Sequence, residues 1–139
     1  MSAIQFEVVT PEKRLVAETV DEVVLPGILG YLGVLPRHAP LLTRLGIGEV
    51  MYRAGGARRY LALSGGFAEV LPDRVIVLAD VAERPESIDR ERAGKARDRA
   101  LERLRGRGSE TDFDRAQAAL QKALVRIQVA GRVGPDEPA

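Results

Sequence analysis

The sequence predicts an α+β chain: an N-terminal antiparallel β-sandwich or flattened barrel, followed by a C-terminal antiparallel two-helix hairpin. Two observations carry this reading. From Ile4 to about Ala82 apolar residues recur at every second position or in short runs, which is strand spacing, and after Pro85 they recur every three and four, which is helical spacing. A length of 139 residues sets the scale, enough for one modest core and a small appendage but short for two full-sized domains. The expected divisions are a sandwich over 1–84, a helical arm over 85–131 and a flexible tail over 132–139.

In the sandwich half, Ile4-Phe6-Val8, Val23-Leu25, Leu61-Leu63 and Val75-Val77 alternate as half-buried strands do. Turn signals separate them at Thr10-Pro11-Glu12, Gly46-Ile47-Gly48, Ala54-Gly55-Gly56-Ala57 and Leu71-Pro72-Asp73-Arg74. The last two are short enough to close hairpins. In the helical half, Ser87 is expected to cap a helix whose first turn holds Asp89 and Glu91 and whose stripe is Ala93, Ala96, Ala100 and Leu104. That helix should stop near Gly106 and Gly108. A second begins near Thr111 or Asp112, carries Phe113, Ala116, Leu120, Leu124 and Ile127, and ends at Gly131. The facing stripes are rich in Ala, so at roughly 25 cal/mol per Å² of buried apolar area they hold weakly against the entropy of ordering, and the arm is expected to open.

Composition excludes more than it selects. Lys and Arg number 21 against 20 Asp and Glu, so the overall balance calls for neither nucleic acid nor an anionic surface. There is no Cys, hence no disulfide, thiol nucleophile or thiolate metal site. No apolar run approaches the ~18 residues of a membrane span, and the start has no signal-peptide pattern, so the chain is read as soluble, without direct membrane insertion. Neither glycine cluster continues into a phosphate-gripping Gly-Lys-Ser/Thr sequence. Gly65 and Gly66 instead read as a bulge or a close approach within strands. The single His, His38, has no second His or Cys to complete a metal site and no recognisable nucleophile beside it. No residue is assigned a catalytic or metal-binding role.

Two segments remain. Gly30 to Thr43 concentrates two Gly, two Pro and the only His in a short stretch, a rigid, shaped loop rather than a slack one. On the first helix Arg92 and Arg99 lie seven positions apart on nearly one face, with Ile88 and Asp89 beside them; on the second, Arg115, Lys122 and Arg126 align likewise. These rows are either solvated faces balanced by neighbouring Asp and Glu, or the two rims of a groove that grips a triphosphate. In the second reading Ile88 and Ala93 form a small apolar rest for an adenine, and Asp89 or Glu83 accepts from its exocyclic amine.

The loop from Gly30 to Thr43, together with Leu63-Ser64-Gly65-Gly66-Phe67-Ala68-Glu69-Val70 and Val77-Leu78-Ala79-Asp80, resembles the epsilon subunit of bacterial F-type, proton-translocating ATP synthases, in matching order and spacing from Phe6 to about Val129. The resemblance implies a non-catalytic central-stalk subunit whose sandwich couples gamma to the membrane ring of c subunits and whose arm restrains ATP hydrolysis. It implies a rotor-interface loop of Tyr31, Arg37, His38, Leu41, Leu42 and Thr43, with Tyr31 standing where the family often has an acidic residue. Ile88-Asp89-x-x-Arg92-Ala93 is similar to the motif by which some of these subunits bind ATP without hydrolysing it. Glu83, Arg99, Arg115 and Arg126 fall at the family's other contact positions, and Lys122 replaces a common Arg. No cofactor is obligatory, and ATP is a regulatory ligand. Arg97, Arg103, Arg105 and Arg107 are implied as contacts of an extended arm with the beta and alpha subunits. The implied location is the cytoplasmic side of a bacterial plasma membrane. A free-standing ATP-sensing module and a nucleic-acid-binding module are the rivals. Against the second, Asp89, Glu91, Asp98 and Glu102 interleave the arginines and no aromatic platform is present.

Overall fold

The computed structural model describes residues 3–106 and 108–132. Seven strands come first: β1 (Ile4–Val9), β2 (Arg14–Val20), β3 (Glu22–Gly27), β4 (Gly30–Val34), β5 (Leu41–Ala54), β6 (Ala57–Leu71) and β7 (Arg74–Glu83). A 3₁₀ turn over Pro85–Ser87 leads into α1 (Arg90–Arg105) and α2 (Glu110–Ala130). The strands form one sheet in the order β2-β1-β7-β6-β5-β3-β4. It folds back on itself: Phe6 on β1 and Tyr52 on β5, with two strands between them in that order, bring their rings to 5.2 Å across the interior. The result is a flattened sandwich with β2 and β4 at its edges, whose core holds Ile4, Val8, Val16, Leu25, Leu61 and Val77 among others.

Two details differ from the sequence reading. The pairing is antiparallel except between β1 and β7, which run parallel from Gln5 opposite Arg74 to Val9 opposite Leu78. Hairpin signals speak only for strands adjacent in sequence, and this pair closes the two ends of the domain. Gly46-Ile47-Gly48 is not a turn but lies inside β5, where the chain stays paired with β6 at Ile47 and Gly48. The two hairpins are as expected, since Gly55 and Gly56 supply positive φ of 61° and 82° between β5 and β6, and Pro72-Asp73 joins β6 to β7. Gly66 has φ 133°, and a Cβ there would stand 2.1 Å from the Leu78 carbonyl oxygen, so the close approach read from the sequence is real.

In the arm, Asp89 rather than Ser87 caps α1, its Oδ1 accepting from the Arg92 N–H at 3.0 Å. Ser87 is consumed by the 3₁₀ turn that Pro85 begins. Ser109 caps α2 through the Asp112 N–H, starting it one turn position earlier than the sequence placed it. The α1 stripe is as read, with Ala93 and Ala100 fully buried. The α2 stripe is rotated: Ala116, Ala123, Val129 and Ala130 are buried, whereas Phe113 and Leu124 are about half exposed. α2 lies against β5, β6 and the 3₁₀ turn, and α1 packs chiefly on α2. Small side chains set this seam because they let the helices approach closely, and the larger residues are left outside.

Candidate functional site

Where the arm meets the sheet there is an open cavity of about 530 Å³, lined by Ile47, Leu63 and Val81 from the strands and by Ala96, Ala119 and Ala123 from the helices, with Glu83, Arg92, Lys122 and Arg126 at its polar edge. Four of the nine residues proposed for a nucleotide thus converge on one apolar hollow. Arg126 is already engaged, its Nε donating to Glu83 Oε1 at 2.8 Å and its Nη2 to Oε2 at 3.1 Å. Arg99 and Arg115 are exposed and do not line the cavity. Each lies seven residues, about 10 Å of helix, toward the hairpin tip from Arg92 and Lys122 respectively.

The remaining candidates have other surroundings. Ile88 is buried with Ala62, Val129 and Ala130 beneath the end of α2, and Ala93 is fully buried in the helical seam. With the arm in this position neither offers a free surface to a base. Asp89 spends one oxygen on the α1 cap. Lys122 is exposed, and as a compact ammonium it presents a point charge rather than a fork. The hollow has the size and the sparse polar lining of a small-molecule site, and its cations suit phosphate oxygens. A polyphosphate gripping Arg126 must share it with, or take it from, Glu83.

The segment from Gly30 to Thr43 is not one loop as the sequence suggested, because Gly30–Val34 pairs as β4 and Leu41 to Thr43 begin β5; in the connection between them Arg37 adopts φ 67° and its N–H bonds the Pro72 carbonyl at 2.6 Å, tying it to the β6–β7 turn. His38 Nδ1 lies 2.6 Å from the Ala39 carbonyl oxygen, the geometry of a structural hydrogen bond. Leu41 and Leu42 are exposed, and Thr43 Oγ1 donates to the Arg44 carbonyl. Tyr31 shows most of its ring to solvent, but its hydroxyl accepts from the Glu49 N–H at 3.0 Å. Of the arm arginines, Arg97 pairs with Asp98, Arg105 with Glu102, and Arg103 borders the hairpin turn. Arg107 lies outside the described residues.

Sequence reasoning missed two groups. Phe67 and Leu78, in one cross-strand row with Arg44, share the outer face of β5, β6 and β7 with Leu42, which the sequence had already singled out, all three apolar side chains at least half exposed. Their outward phase was visible against Ala68, Val70 and Val77, which point inward. Ile28 and Leu29 at the β3–β4 tip are exposed as well. The second group is Glu49, Tyr60 and Arg132, brought together only by the docking of α2.

These features define a class: a small β-sandwich with exposed apolar outer surfaces, bearing a helical arm folded onto it over an apolar hollow edged by charged groups. Family models described as "ATP synthase, Delta/Epsilon chain, beta-sandwich domain" and "ATP synthase, Delta/Epsilon chain, long alpha-helix domain" match residues 3–85 and 86–131. The chain belongs to the ATP synthase delta/epsilon chain family. It is 51% identical over 127 residues to the ATP synthase epsilon chain of Syntrophobacter fumaroxidans, covering 91% of this chain and 95% of that one. The epsilon chain of Moorella thermoacetica is 48% identical over 134 residues, 96% of this chain and all of the relative. In fold it is similar to a chain of the Euglena gracilis mitochondrial ATP synthase, with a TM-score of 0.80 at 22% identity over 94% of this chain and 82% of that chain.

Proposed function

We propose that this chain acts in the central stalk of a bacterial F-type ATP synthase, its sandwich coupling gamma to the membrane ring and its arm restraining ATP hydrolysis under control of ATP. Family membership makes it an epsilon-type subunit, structural and regulatory rather than catalytic. The observation that carries the regulatory part is the 530 Å³ hollow beneath the arm, edged by Arg92, Lys122 and Arg126. A nucleotide seated there contacts both helices and the sheet at once, so it favours the folded arm by its differential affinity for that state.

The coupling part is supported by the exposed Phe67 and Leu78 on the sheet face and by Ile28 and Leu29 at the β3–β4 tip, apolar surfaces suited to protein partners. We assign the sheet face to gamma and the tip, with the loop through Thr43, to the ring. Peripheral attachment to the cytoplasmic side of the plasma membrane follows from these partners. Among the described residues no helix is long and apolar enough to cross a membrane. Arg97, Arg103, Arg105 and Arg107 are assigned to the acidic surface that an extended arm meets on the beta and alpha subunits.

Calorimetric titration of the isolated chain with ATP and ADP tests the regulatory part. Saturable ATP binding is expected, weakened roughly 10- to 100-fold in Arg92→Ala and in Arg126→Ala, the range of a lost charge-assisted hydrogen bond. Absence of binding at millimolar ATP would sink it and leave an arm answering only to proteins.

A further inference from the structure

The C-terminal end of α2, where the arm returns to the sheet, is fastened at a second place. Glu49, on β5, has a side chain only 15% exposed, and Arg132 just beyond α2 donates to its Oε2. Gln128 Nε2 reaches Oε1 at 3.4 Å. The Arg132 guanidinium also stands 4.1 Å over the centre of the Tyr60 ring on β6. Sequence reading placed Arg132 at the start of a flexible tail; in the fold it is held by a carboxylate and an aromatic face.

Two comparisons give these contacts weight. Of the pairs confined to α1, Lys95 with Glu91 and Arg105 with Glu102 have side chains 68–81% exposed, and Arg97 with Asp98 41% and 66%, so all three are screened by water. Glu49 and Arg132 are far less exposed, at 15% and 33%, so their attraction is screened less and is reinforced by the ring. The seam they supplement, between the end of α2 and the sheet, is small: Ala62, Ile88, Val129 and Ala130, with Val125 packed against them. With so weak an apolar seam, a few polar fasteners decide whether the arm stays down. Neither Glu49 nor Arg132, Gln128 or Tyr60 lines the cavity.

Glu49 is in turn held from the other side. Its N–H donates to the Tyr31 hydroxyl on β4, the strand that leaves the exposed Ile28-Leu29 tip. One residue of β5 therefore bonds the arm through its side chain and the β3–β4 hairpin through its backbone.

We propose that Glu49 is a carboxylate catch that holds the arm closed without any ligand in the cavity, and that Tyr31 positions this catch from the β3–β4 hairpin. A partner that draws the β3–β4 hairpin away loosens the arm at the C-terminal end of α2, while a nucleotide acts separately through Arg92, Lys122 and Arg126. The inference rests on the reading of the helices as an arm that opens.

The chain has no Cys, so dyes can be placed at Glu69→Cys on β6 and Glu102→Cys on α1, both exposed positions, and the open fraction read by single-molecule energy transfer without nucleotide. Glu49→Gln and Arg132→Gln are each expected to raise the open fraction about five- to thirtyfold, with little further rise in the double variant. Tyr31→Phe should raise it in the wild-type background and have no effect beside Glu49→Gln. Val129→Asp, which puts a charge into the buried contact with Ile88 and Ala62, is the reference for an arm opened by another route. If Val129→Asp opens the arm while the Glu49 and Arg132 variants stay closed, or if their effects simply add, the catch is wrong. An unchanged open fraction in Tyr31→Phe overturns the link to the hairpin. If Val129→Asp also stays closed, the arm does not open at all, and the functional reading fails along with the catch.

Discussion

Among the described residues Tyr52 is the largest fully buried side chain, and its hydroxyl has no hydrogen-bond partner there. Burial raises its pKa above 10.0, and the charge of Glu18 adds to this; Arg84 and Arg59 offset part of it. Arg84 stands beside the hydroxyl but falls outside hydrogen-bonding geometry, its Nη2 donating instead to the Leu15 carbonyl at 2.7 Å, so its influence is through charge. The sign is fixed by linkage. The folded state holds the phenol proton more tightly than the unfolded chain, so the stabilisation is complete below the ordinary tyrosine pKa and is lost as pH rises through the raised value. Tyr52→Phe should keep or increase stability at pH 7, because it removes a buried group that bonds nothing, and should flatten the decline above about pH 10. Urea denaturation of both proteins from pH 7 to 11 checks this; an unchanged alkaline slope would place the loss elsewhere.

At the scale of elements, the start of α1 illustrates how one side chain serves local structure and function. Asp89 closes the first turn by accepting from Arg92, and that turn presents the Arg92 side chain to the cavity. Asp89→Ala should cost about 1 kcal/mol of helix stability, seen as faster amide exchange in the first turn of α1 with the sandwich amides unchanged. Unaltered exchange at Arg92 would show that the 3₁₀ turn over Pro85–Ser87 suffices to start the helix. The same experiment separates the two offices of Asp89, since Asn at this position restores a cap without restoring the charge.

For the whole molecule, the outer face of β5, β6 and β7 is the surface to test. Phe67 and Leu78 are directly paired across strands and at least half exposed, so Ser at both positions removes apolar area from the surface, not from the core. The double variant should unfold within about 0.5 kcal/mol of wild type, yet bind gamma at least tenfold more weakly in a pull-down or sedimentation assay. Retained affinity would move the gamma contact to another face.

Periodicity and turn residues determined the two halves of this chain, the hairpins at Gly55-Gly56 and Pro72-Asp73, the Ala stripe of α1 and where both helices stop, because each is written in residues near one another in sequence. Periodicity also singled out Arg92, Lys122 and Arg126, whose spacing on their helices is local. What sets them in one hollow with Glu83, buries Ile88 and Ala93, turns Phe113 and Leu124 outward and runs β1 parallel to β7 is the packing of segments distant in sequence. Glu49 and Arg132 are 83 residues apart, and nothing near either predicts the other. Local pattern fixes which face of an element is apolar; only the close packing of those faces decides which polar groups meet at their margins, and on those margins the arm is held and the hollow is shaped.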